Sequence, residues 1–362
     1  MRSVKTFLVF GLALMATLVG LDVYLQLAEI QTPMETRIDQ RLGPTYIPNK
    51  KITRFTEGFF IGSANAYGYM GPSIPPARSG LERRVLLLGD SFVLGHTVLP
   101  RHYFGRWLEA RLREVSGEVY HALNFGKADF NFWNMYQYYK DFAGGFDHEA
   151  ALFFVGAGDL IPARQIATDL YPVVRLDGDA LVIDRSFRNS RTFGFYKTIE
   201  PIMTNSALLR LMFNAFKMVK RGELASVVLD RFAPKRQESD EGPDPGTPPQ
   251  AVEMPALSRA ILRDLARDPR NVLVIQRSLA KELRDEVRAA GLPMIDLGAC
   301  LDSLQAAGQD PYYWPITKTH GHWNHATHPI IGAYLADQLI ARGLVRPRES
   351  SESRPEEASS PK

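Results

Sequence analysis

Short apolar runs alternate with amphipathic segments along the first half of the chain. Residues 84–88 (Arg-Val-Leu-Leu-Leu) and 150–155 (Ala-Ala-Leu-Phe-Phe-Val) each end directly before a glycine, and a third run covers 119–124. Apolar residues at helical spacing lie between these runs, at 103–114 and 132–142. Buried-type strands separated by amphipathic helices are typical of a parallel sheet with helices on both faces.

The same alternation returns in the second half of the chain. Here the pattern predicts a helix, a strand, a helix, a strand and a final helix, at 255–267, 271–275, 278–290, 294–297 and 326–343. We therefore predict an α/β domain at residues 81–345, built as a three-layer α/β/α sandwich around a central, mainly parallel sheet. An insertion at 165–225 interrupts the pattern, with a hairpin turn at Asp177-Gly178 and an amphipathic helix at 206–221.

The N-terminus carries an apolar segment. After Arg2 and Lys5, residues 7–21 are uncharged and apolar, and the apolar character resumes past Asp22. No clean Ala-x-Ala cleavage site follows, so an uncleaved signal anchor at 1–29 is favoured over a cleaved signal peptide or a buried N-terminal helix. The positive-inside bias then predicts a single-pass protein of the inner (plasma) membrane whose main domain faces the periplasm or cell exterior.

Three further segments lack the α/β pattern. Residues 30–80 are rich in Pro, Gly, Asn and Tyr. This composition predicts an extended lead-in segment that packs on the surface of the domain. Residues 233–252 form a linker and residues 346–362 a tail, both predicted to be disordered because polar residues and Pro dominate them.

Composition narrows the class of protein. Of 362 residues, 45% are hydrophobic and 23% charged, which excludes a disordered chain, a fibrous repeat and a polytopic membrane protein. The net charge is only +3 and the basic residues are scattered, so nucleic acid is not a predicted partner. The single cysteine, Cys300, excludes an intramolecular disulfide and a cysteine-built zinc site.

The first candidate for chemistry is Ser91. It follows the strand at 84–88 after the turn Gly89-Asp90, which puts it at the carboxyl edge of the predicted sheet, where open α/β folds bind ligands. A serine there becomes a nucleophile when a histidine reaches its hydroxyl. The alternative is a helix N-cap.

Four blocks of the sequence resemble the SGNH/GDSL hydrolase family, and the chain is similar to its membrane-anchored members that act in polysaccharide O-acetylation and deacetylation. In chain order the blocks are Gly89-Asp90-Ser91-Phe92, Asn124-Phe125-Gly126, Gly156-Ala157-Gly158-Asp159 and His320-Gly321-His322-Trp323-Asn324. The resemblance covers roughly residues 60–343 and implies an SGNH or flavodoxin-like fold. It also implies Ser91 as nucleophile, His322 as general base, and the amides of Ser91 and Gly126 as oxyanion hole.

Two positions depart from the family pattern. Gly158 stands where the family has an asparagine that donates to the oxyanion, and His320 stands where it has the aspartate that orients the base. Loss of one oxyanion donor typically lowers turnover about 10²–10³-fold. Without a carboxylate, a Ser-His dyad and an inactive relative both stay open.

The C-terminal block is rich in histidine. His320, His322, His325 and His328 could suggest a metal, but the cluster contains no carboxylate or cysteine, so neither a metal nor a cofactor is predicted. The alternative for His325 and His328 is a surface or packing role. An aromatic group beside the second block could stack on sugars or belong to the core: Phe130, Phe132, Trp133, Tyr136, Tyr138 and Tyr139.

The resulting hypothesis is an exported, membrane-tethered serine esterase or O-acyltransferase. Its substrates would be acyl esters, acetyl esters first among them, of a cell-surface or secreted glycan, with a membrane acyltransferase as a possible partner. The alternative is a catalytically impaired module that keeps the fold to bind a glycan or to scaffold a membrane partner; Gly158 and His320 favour it.

Overall fold

The computed structural model describes residues 2–28, 34–78, 80–162, 169–221 and 253–347. The chain begins with helix α1 (Arg2–Leu27). Within its segment Val4–Leu27 an 18-residue window has a mean hydropathy of 2.1, so among the described helices α1 is the one long and apolar enough to cross a membrane. Two antiparallel hairpins follow, formed by β1 (Thr36–Asp39) with β2 (Gly43–Tyr46) and by β3 (Lys51–Arg54) with β4 (Phe60–Ser63).

A five-stranded sheet forms the centre of the domain. Its strands are β5 (Arg83–Leu88), β6 (Tyr120–Asn124), β7 (Ala150–Val155), β10 (Asn271–Ile275) and β11 (Met294–Asp296). They lie in the order β6-β5-β7-β10-β11, and every neighbouring pair is parallel. This is the flavodoxin-like order 2-1-3-4-5, whose direction of winding reverses between β5 and β7. The predicted mainly parallel sheet is confirmed.

Helices cover both faces of this sheet. In chain order they are α2 (Ser91–Leu94), α3 (Phe104–Ser116), α4 (Phe132–Asp141), α5 (Ala157–Leu160), α8 (Ala256–Leu265), α9 (Lys281–Ala289), α10 (Leu297–Ala306) and α11 (Thr327–Ala341). Two further helices, α6 (Arg191–Asn205) and α7 (Ala207–Arg221), lie between α5 and α8 in the chain and pack against each other, β1 and α1 rather than on the sheet. Short 3₁₀ turns occur at Pro100–His102, Ala143–Gly145 and Ser186–Asn189.

Alternate residues of each strand enter two separate cores. Leu86 and Phe153 pack in a core with α4, α8 and α9, whereas Leu87 and Phe154 pack in a core with α3, α10 and α11. Because both faces are covered, the strands consist of near-continuous apolar runs, which is why they were recognisable in the sequence. The three-layer α/β/α architecture is thereby confirmed.

The remaining elements lie outside this sandwich. β8 (Val173–Asp177) pairs with β9 (Ala180–Asp184) across a turn in which Gly178 has a φ of +59°. A two-residue pairing joins β12 (Tyr313–Trp314) to β13 (Thr319–His320). The predicted linker at 233–252, and the predicted tail from residue 348 onward, lie outside the described residues.

The lead-in does not only cover the surface of the domain, because it also forms a small core of its own. Ile52 is fully buried in a small core that includes Phe60, Met70 and, from the sandwich, Leu94 of α2. Met70 also forms an isolated antiparallel bridge with Asn124 at the end of β6. The lead-in therefore packs against α2 and the carboxyl edge of the sheet.

Candidate active site

Ser91 begins α2, directly after the turn that ends β5. Gly89 allows this sharp turn, since a Cβ there would lie 2.3 Å from Val93 Cγ2. Asp90 is the N-cap of α2: its carboxylate accepts the amide hydrogen of Phe92 at 2.9 Å. The capping role thus belongs to Asp90, which leaves the Ser91 hydroxyl available for other partners.

Ser91 lies at the point where the winding of the sheet reverses. β5 delivers Ser91 and the neighbouring strand β7 delivers α5, so the two loops separate at the carboxyl edge of the sheet. Crevices at such switch points are the usual ligand sites of open α/β sheets. The third sequence block, which contains Gly158, lies on α5 and faces the same edge.

The imidazole of His322 reaches the Ser91 hydroxyl. His322 Nε2 lies 2.7 Å from Ser91 Oγ, although the two residues are 231 positions apart. The loop between β13 and α11 carries His322, whose ring lies 4.6 Å from the Phe92 ring, centroid to centroid. Trp314 Nε1 donates to the His322 carbonyl at 2.9 Å, which fixes the loop behind the ring.

Glu57, in the lead-in loop between β3 and β4, binds the other side of His322. Its two carboxylate oxygens lie 2.9 and 3.1 Å from His322 Nδ1, and the His322 amide donates to Oε2 at 2.7 Å. A carboxylate can only accept, so Nδ1 carries the hydrogen and Nε2 is free to accept from Ser91. Glu57 thereby selects the tautomer that a general base requires.

Contact with His322 stabilises the ionised form of Glu57, and a neighbouring glycine leaves room for that contact. Burial raises the pKa of Glu57, but the hydrogen bonds and charge of His322 outweigh it and hold that pKa below its ordinary value. Gly321 makes the approach possible, because a Cβ on it would lie 2.3 Å from the Glu57 carboxyl group. The glycine between the two histidines of the last block therefore leaves room for this close contact.

The expectation that the base lacks a carboxylate is corrected by this geometry. His320 lies on the exposed strand β13, where its Nε2 is 2.9 Å from Asp310 Oδ2. His320 therefore pairs with a different carboxylate, outside the Ser91–His322 pair. The orienting carboxylate comes from Glu57, 265 residues before His322, rather than from the position two residues before it.

The predicted oxyanion donors differ in their availability. Among the residues the structure describes, the Ser91 amide has no acceptor. The Gly126 amide donates to Asn124 Oδ1 at 2.9 Å, so its hydrogen is occupied. A Cβ on Gly126 would lie 2.4 Å from the Leu94 nitrogen, so glycine lets this loop touch α2. At Gly158 a Cβ would meet no atom within 4 Å, so the position of the family's asparagine side chain is open space.

Two partly buried acids, Asp90 and Asp159, and the exposed Arg277 lie near Ser91. Burial raises the pKa of Asp90, and burial together with the charge of Asp90 raises the pKa of Asp159 to about 7. The guanidinium of Arg277, just after β10, lies 4.9 Å over the Phe92 ring and 5.5 Å over the Tyr312 ring. The positive charge of Arg277 partly opposes the increase in pKa of both carboxyls.

The other histidines have structural surroundings. His328 is buried and its Nδ1 accepts the Phe104 amide hydrogen at 3.1 Å; burial lowers its pKa to about 3. His325 is exposed and lies against the His102 ring at 4.4 Å. Within the described ranges, no group of three or more His, Cys, Asp or Glu side chains is arranged to hold a metal ion.

The aromatic residues beside the second block belong to the core. Phe130, Phe132, Tyr136, Tyr138 and Tyr139 are buried, and the partly buried Trp133 donates to Ser258 Oγ at 2.8 Å. They pack α4 onto the sheet, so they do not form a sugar-binding platform.

Comparisons with known proteins found structural similarity only. No protein-family model matches the chain, and no curated protein matches it. Solved structures that resemble it include a lipase/acylhydrolase from Enterococcus faecalis, with 12% identity and a TM-score of 0.36 over 74% of this chain and all of that one. A protein described as lipolytic and of the G-D-S-L family, from Desulfitobacterium hafniense, has 10% identity and a TM-score of 0.27 over 70% of this chain and 98% of its own. A gut microbial diltiazem-metabolizing enzyme has 12% identity and a TM-score of 0.32 over 74% of this chain and 48% of its own.

Proposed function

We propose that this protein is a serine esterase or O-acyltransferase whose catalytic residues are Ser91, His322 and Glu57. The observation that carries the proposal is a chain of two hydrogen bonds. One joins Ser91 Oγ to His322 Nε2, at 2.7 Å, and the other joins His322 Nδ1 to the Glu57 carboxylate, at 2.9 Å. Nucleophile, base and orienting acid in hydrogen-bond contact are the arrangement that activates a serine hydroxyl.

The first half-reaction forms an acyl-enzyme. Ser91 Oγ attacks the acyl carbonyl carbon while its proton moves to His322 Nε2, and Glu57 stabilises the resulting imidazolium. The oxyanion accepts the Ser91 amide hydrogen, and the Gly126 amide becomes a second donor when it leaves Asn124 Oδ1. The intermediate then collapses, and the departing alcohol oxygen takes the proton from Nε2.

The second half-reaction releases the acyl group. Water, or a hydroxyl group of an acceptor sugar, attacks the ester carbon and gives its proton to His322 Nε2. Ser91 Oγ then leaves and recovers that proton. With water the protein is an esterase, and with a sugar hydroxyl it is an O-acyltransferase.

We assign the substrate to acyl esters, especially acetyl esters, of cell-surface or secreted glycans. The resemblance of the four sequence blocks to anchored family members supports this substrate, as does α1, which is long and apolar enough to anchor the domain. Arg2 and Lys5 on the cytoplasmic side would place the domain at the periplasmic or outer face of the membrane, within reach of a membrane acyltransferase partner.

The second candidate is a binding module with the same cleft. Two observations favour it: the Gly126 amide is occupied by Asn124, and Gly158 lacks a donor side chain. Such a module would hold a glycan or a membrane partner without turning over an ester.

Active-site labelling separates the two candidates. A fluorophosphonate probe should label the detergent-solubilised full-length protein and a Ser303→Ala control, which removes an exposed serine on α10, but not Ser91→Ala. The wild type should also release acetate from 4-nitrophenyl acetate and from an acetylated polysaccharide. If folded wild type neither takes the label nor releases acetate, the binding module replaces the enzyme.

A further inference from the structure

Helix α7 carries an apolar stripe that faces solvent. Leu209, Met212, Phe216 and Val219 are 40%, 59%, 63% and 61% exposed, and their spacing of three, four and three residues places them on one side of the helix. By contrast, Ala207 is fully buried and Arg210 is 8% exposed. Such a contiguous exposed apolar surface usually marks an interaction site.

The end of α1 is attached to the beginning of α7. The Leu208 amide donates to Asp22 Oδ1 at 2.7 Å, and Ser206 Oγ donates to the same oxygen at 2.9 Å. Four residues further along α1, Gln26 Nε2 donates to the Asn205 carbonyl at 3.1 Å. Leu25, between these contacts, is buried. The stripe therefore begins beside the helix that can span a membrane.

The length of α1 indicates where this attachment lies relative to the bilayer. Its 24-residue apolar segment is about 36 Å long, whereas the hydrocarbon core of a bilayer is about 30 Å thick. Asp22 lies five residues before Leu27, or about 7.5 Å along the helix axis. The N-terminus of α7 is therefore held at the boundary between the acyl chains and the lipid headgroups.

The charge of α7 matches a lipid surface. Its sequence, Ala-Leu-Leu-Arg-Leu-Met-Phe-Asn-Ala-Phe-Lys-Met-Val-Lys-Arg, has four basic residues and no acidic one. Amphipathic helices with basic residues and exposed apolar side chains bind in the interface of membranes that contain anionic lipids. The stripe supplies apolar contact, and the three basic residues in the second half of α7 supply the positive charge for electrostatic attraction, whereas Arg210 is buried.

We propose that α7 lies in the headgroup region of the membrane as a second attachment beside α1, with its apolar stripe inserted among the lipids. This inference rests on the membrane tether proposed above. Two attachments restrict rotation of the domain about α1, so the cleft at Ser91 keeps a constant orientation relative to the membrane. A single flexible anchor would not impose this orientation.

Site-specific fluorescence quenching in nanodiscs tests the proposal on the full-length protein. In a Cys300→Ser background, the environment-sensitive dye NBD is attached to one cysteine at a time, introduced by Phe216→Cys, Met15→Cys in the middle of α1, or Gln305→Cys, an exposed control on α10. Nanodiscs contain phosphatidylglycerol and phosphatidylethanolamine. Quenchers are aqueous iodide and lipids with a doxyl group near the headgroup or in mid-chain.

We expect the dye at position 216 to be quenched most by shallow doxyl lipid and at least three-fold less by iodide than the dye at position 305. The dye at position 15 should respond most to mid-chain doxyl. Equal iodide quenching at 216 and 305, with position 15 still inside the bilayer, overturns the α7 contact and leaves the tether intact. If iodide quenches the dye at position 15, the membrane tether through α1 is refuted, and the proposed lipid contact of α7 is refuted with it.

One further outcome identifies a different occupant of the stripe. If the dye at position 216 is shielded from both iodide and doxyl lipid, a protein surface covers α7, and the lipid contact is wrong. Replacing phosphatidylglycerol by phosphatidylcholine tests the charge argument, because shallow doxyl quenching at position 216 should fall while quenching at position 15 stays the same.

Discussion

Two regions that differ in secondary structure position Ser91 and Glu57, the two ends of the hydrogen-bonded chain through His322. The carboxyl edge of the sheet positions Ser91 through a six-residue buried strand and a capped helix, whereas the lead-in positions Glu57 through a loop between two four-residue strands. Regular secondary structure thus places Ser91, the proposed nucleophile, and tertiary packing places Glu57, the carboxylate proposed to orient the base. A catalytic group does not have to lie on the sheet edge to belong to the site.

The two regions are also held in place differently. The turn at Ser91 is determined by its own neighbours, Gly89 and Asp90. The loop at Glu57 depends on distant elements: a Cβ on Gly58 would lie 2.2 Å from the Thr97 carbonyl oxygen, and Thr317 Oγ1 donates to the Glu57 carbonyl at 3.0 Å. Changes in the lead-in should therefore alter activity with little effect on the central sheet.

The largest effect is expected when the lead-in loses its carboxylate. Glu57→Gln keeps the shape but can present an N–H to His322 Nδ1, which favours the tautomer that cannot accept from Ser91. We expect kcat on 4-nitrophenyl acetate to fall roughly 10⁴-fold, as for loss of the orienting acid in serine proteases. Asp310→Asn, which alters the carboxylate paired with His320, is the control and should retain full activity. Equal activities of the two variants would remove Glu57 from the mechanism.

A smaller loss of activity is expected from a substitution that crowds the contact between Gly321 and Glu57. Gly321→Ala adds a Cβ 2.3 Å from the flexible end of Glu57, which should turn away while the fold persists. Displacement of a catalytic group by about 1 Å can lower turnover about 10²-fold. Gly145→Ala, where a Cβ meets no atom within 4 Å, is the matched control. Full activity of Gly321→Ala would show that the contact with Glu57 is dispensable.

Activity should rise, not fall, when the sheet edge is given an additional oxyanion donor. Gly158→Asn places an amide in open space on α5, where the resembled family has its third oxyanion donor. We expect kcat to rise by up to about 10²-fold, the usual effect of one such donor. Gly158→Ala adds a Cβ without a donor and should leave kcat unchanged. An equal rise in both variants would attribute the gain to backbone rigidity.

The smallest effect concerns stability at the sheet edge. Asp159 has a folded pKa of about 7, above its ordinary value, so the folded state binds the extra proton and stability falls as pH rises between about 4 and 7. Asp159→Asn removes this charge and retains an acceptor for the Gly156 amide. In thermal unfolding, the stability advantage of the variant over wild type should therefore grow by on the order of 2 kcal/mol between pH 5 and pH 8. The same difference at both pH values would contradict the raised pKa.

The sequence by itself determined the parallel sheet and the position of Ser91. Strands buried on both faces consist of apolar residues in an unbroken run, and a run that ends in glycine places the next residues at the carboxyl edge. His322 was also predicted, because the last block carries a family motif in chain order. These features depend on local pattern, which one sequence displays directly.

Only the tertiary structure identified Glu57 and the actual partner of His320. An acidic residue in a Gly-containing loop is normally solvated, and nothing near Glu57 marks it for a histidine 265 residues away. Gly321 was a partial signal, since a glycine beside a base leaves room for a close contact, but it does not name the group that fills the room. Contacts between distant segments depend on how whole elements pack, and neither spacing nor periodicity along the chain records that packing.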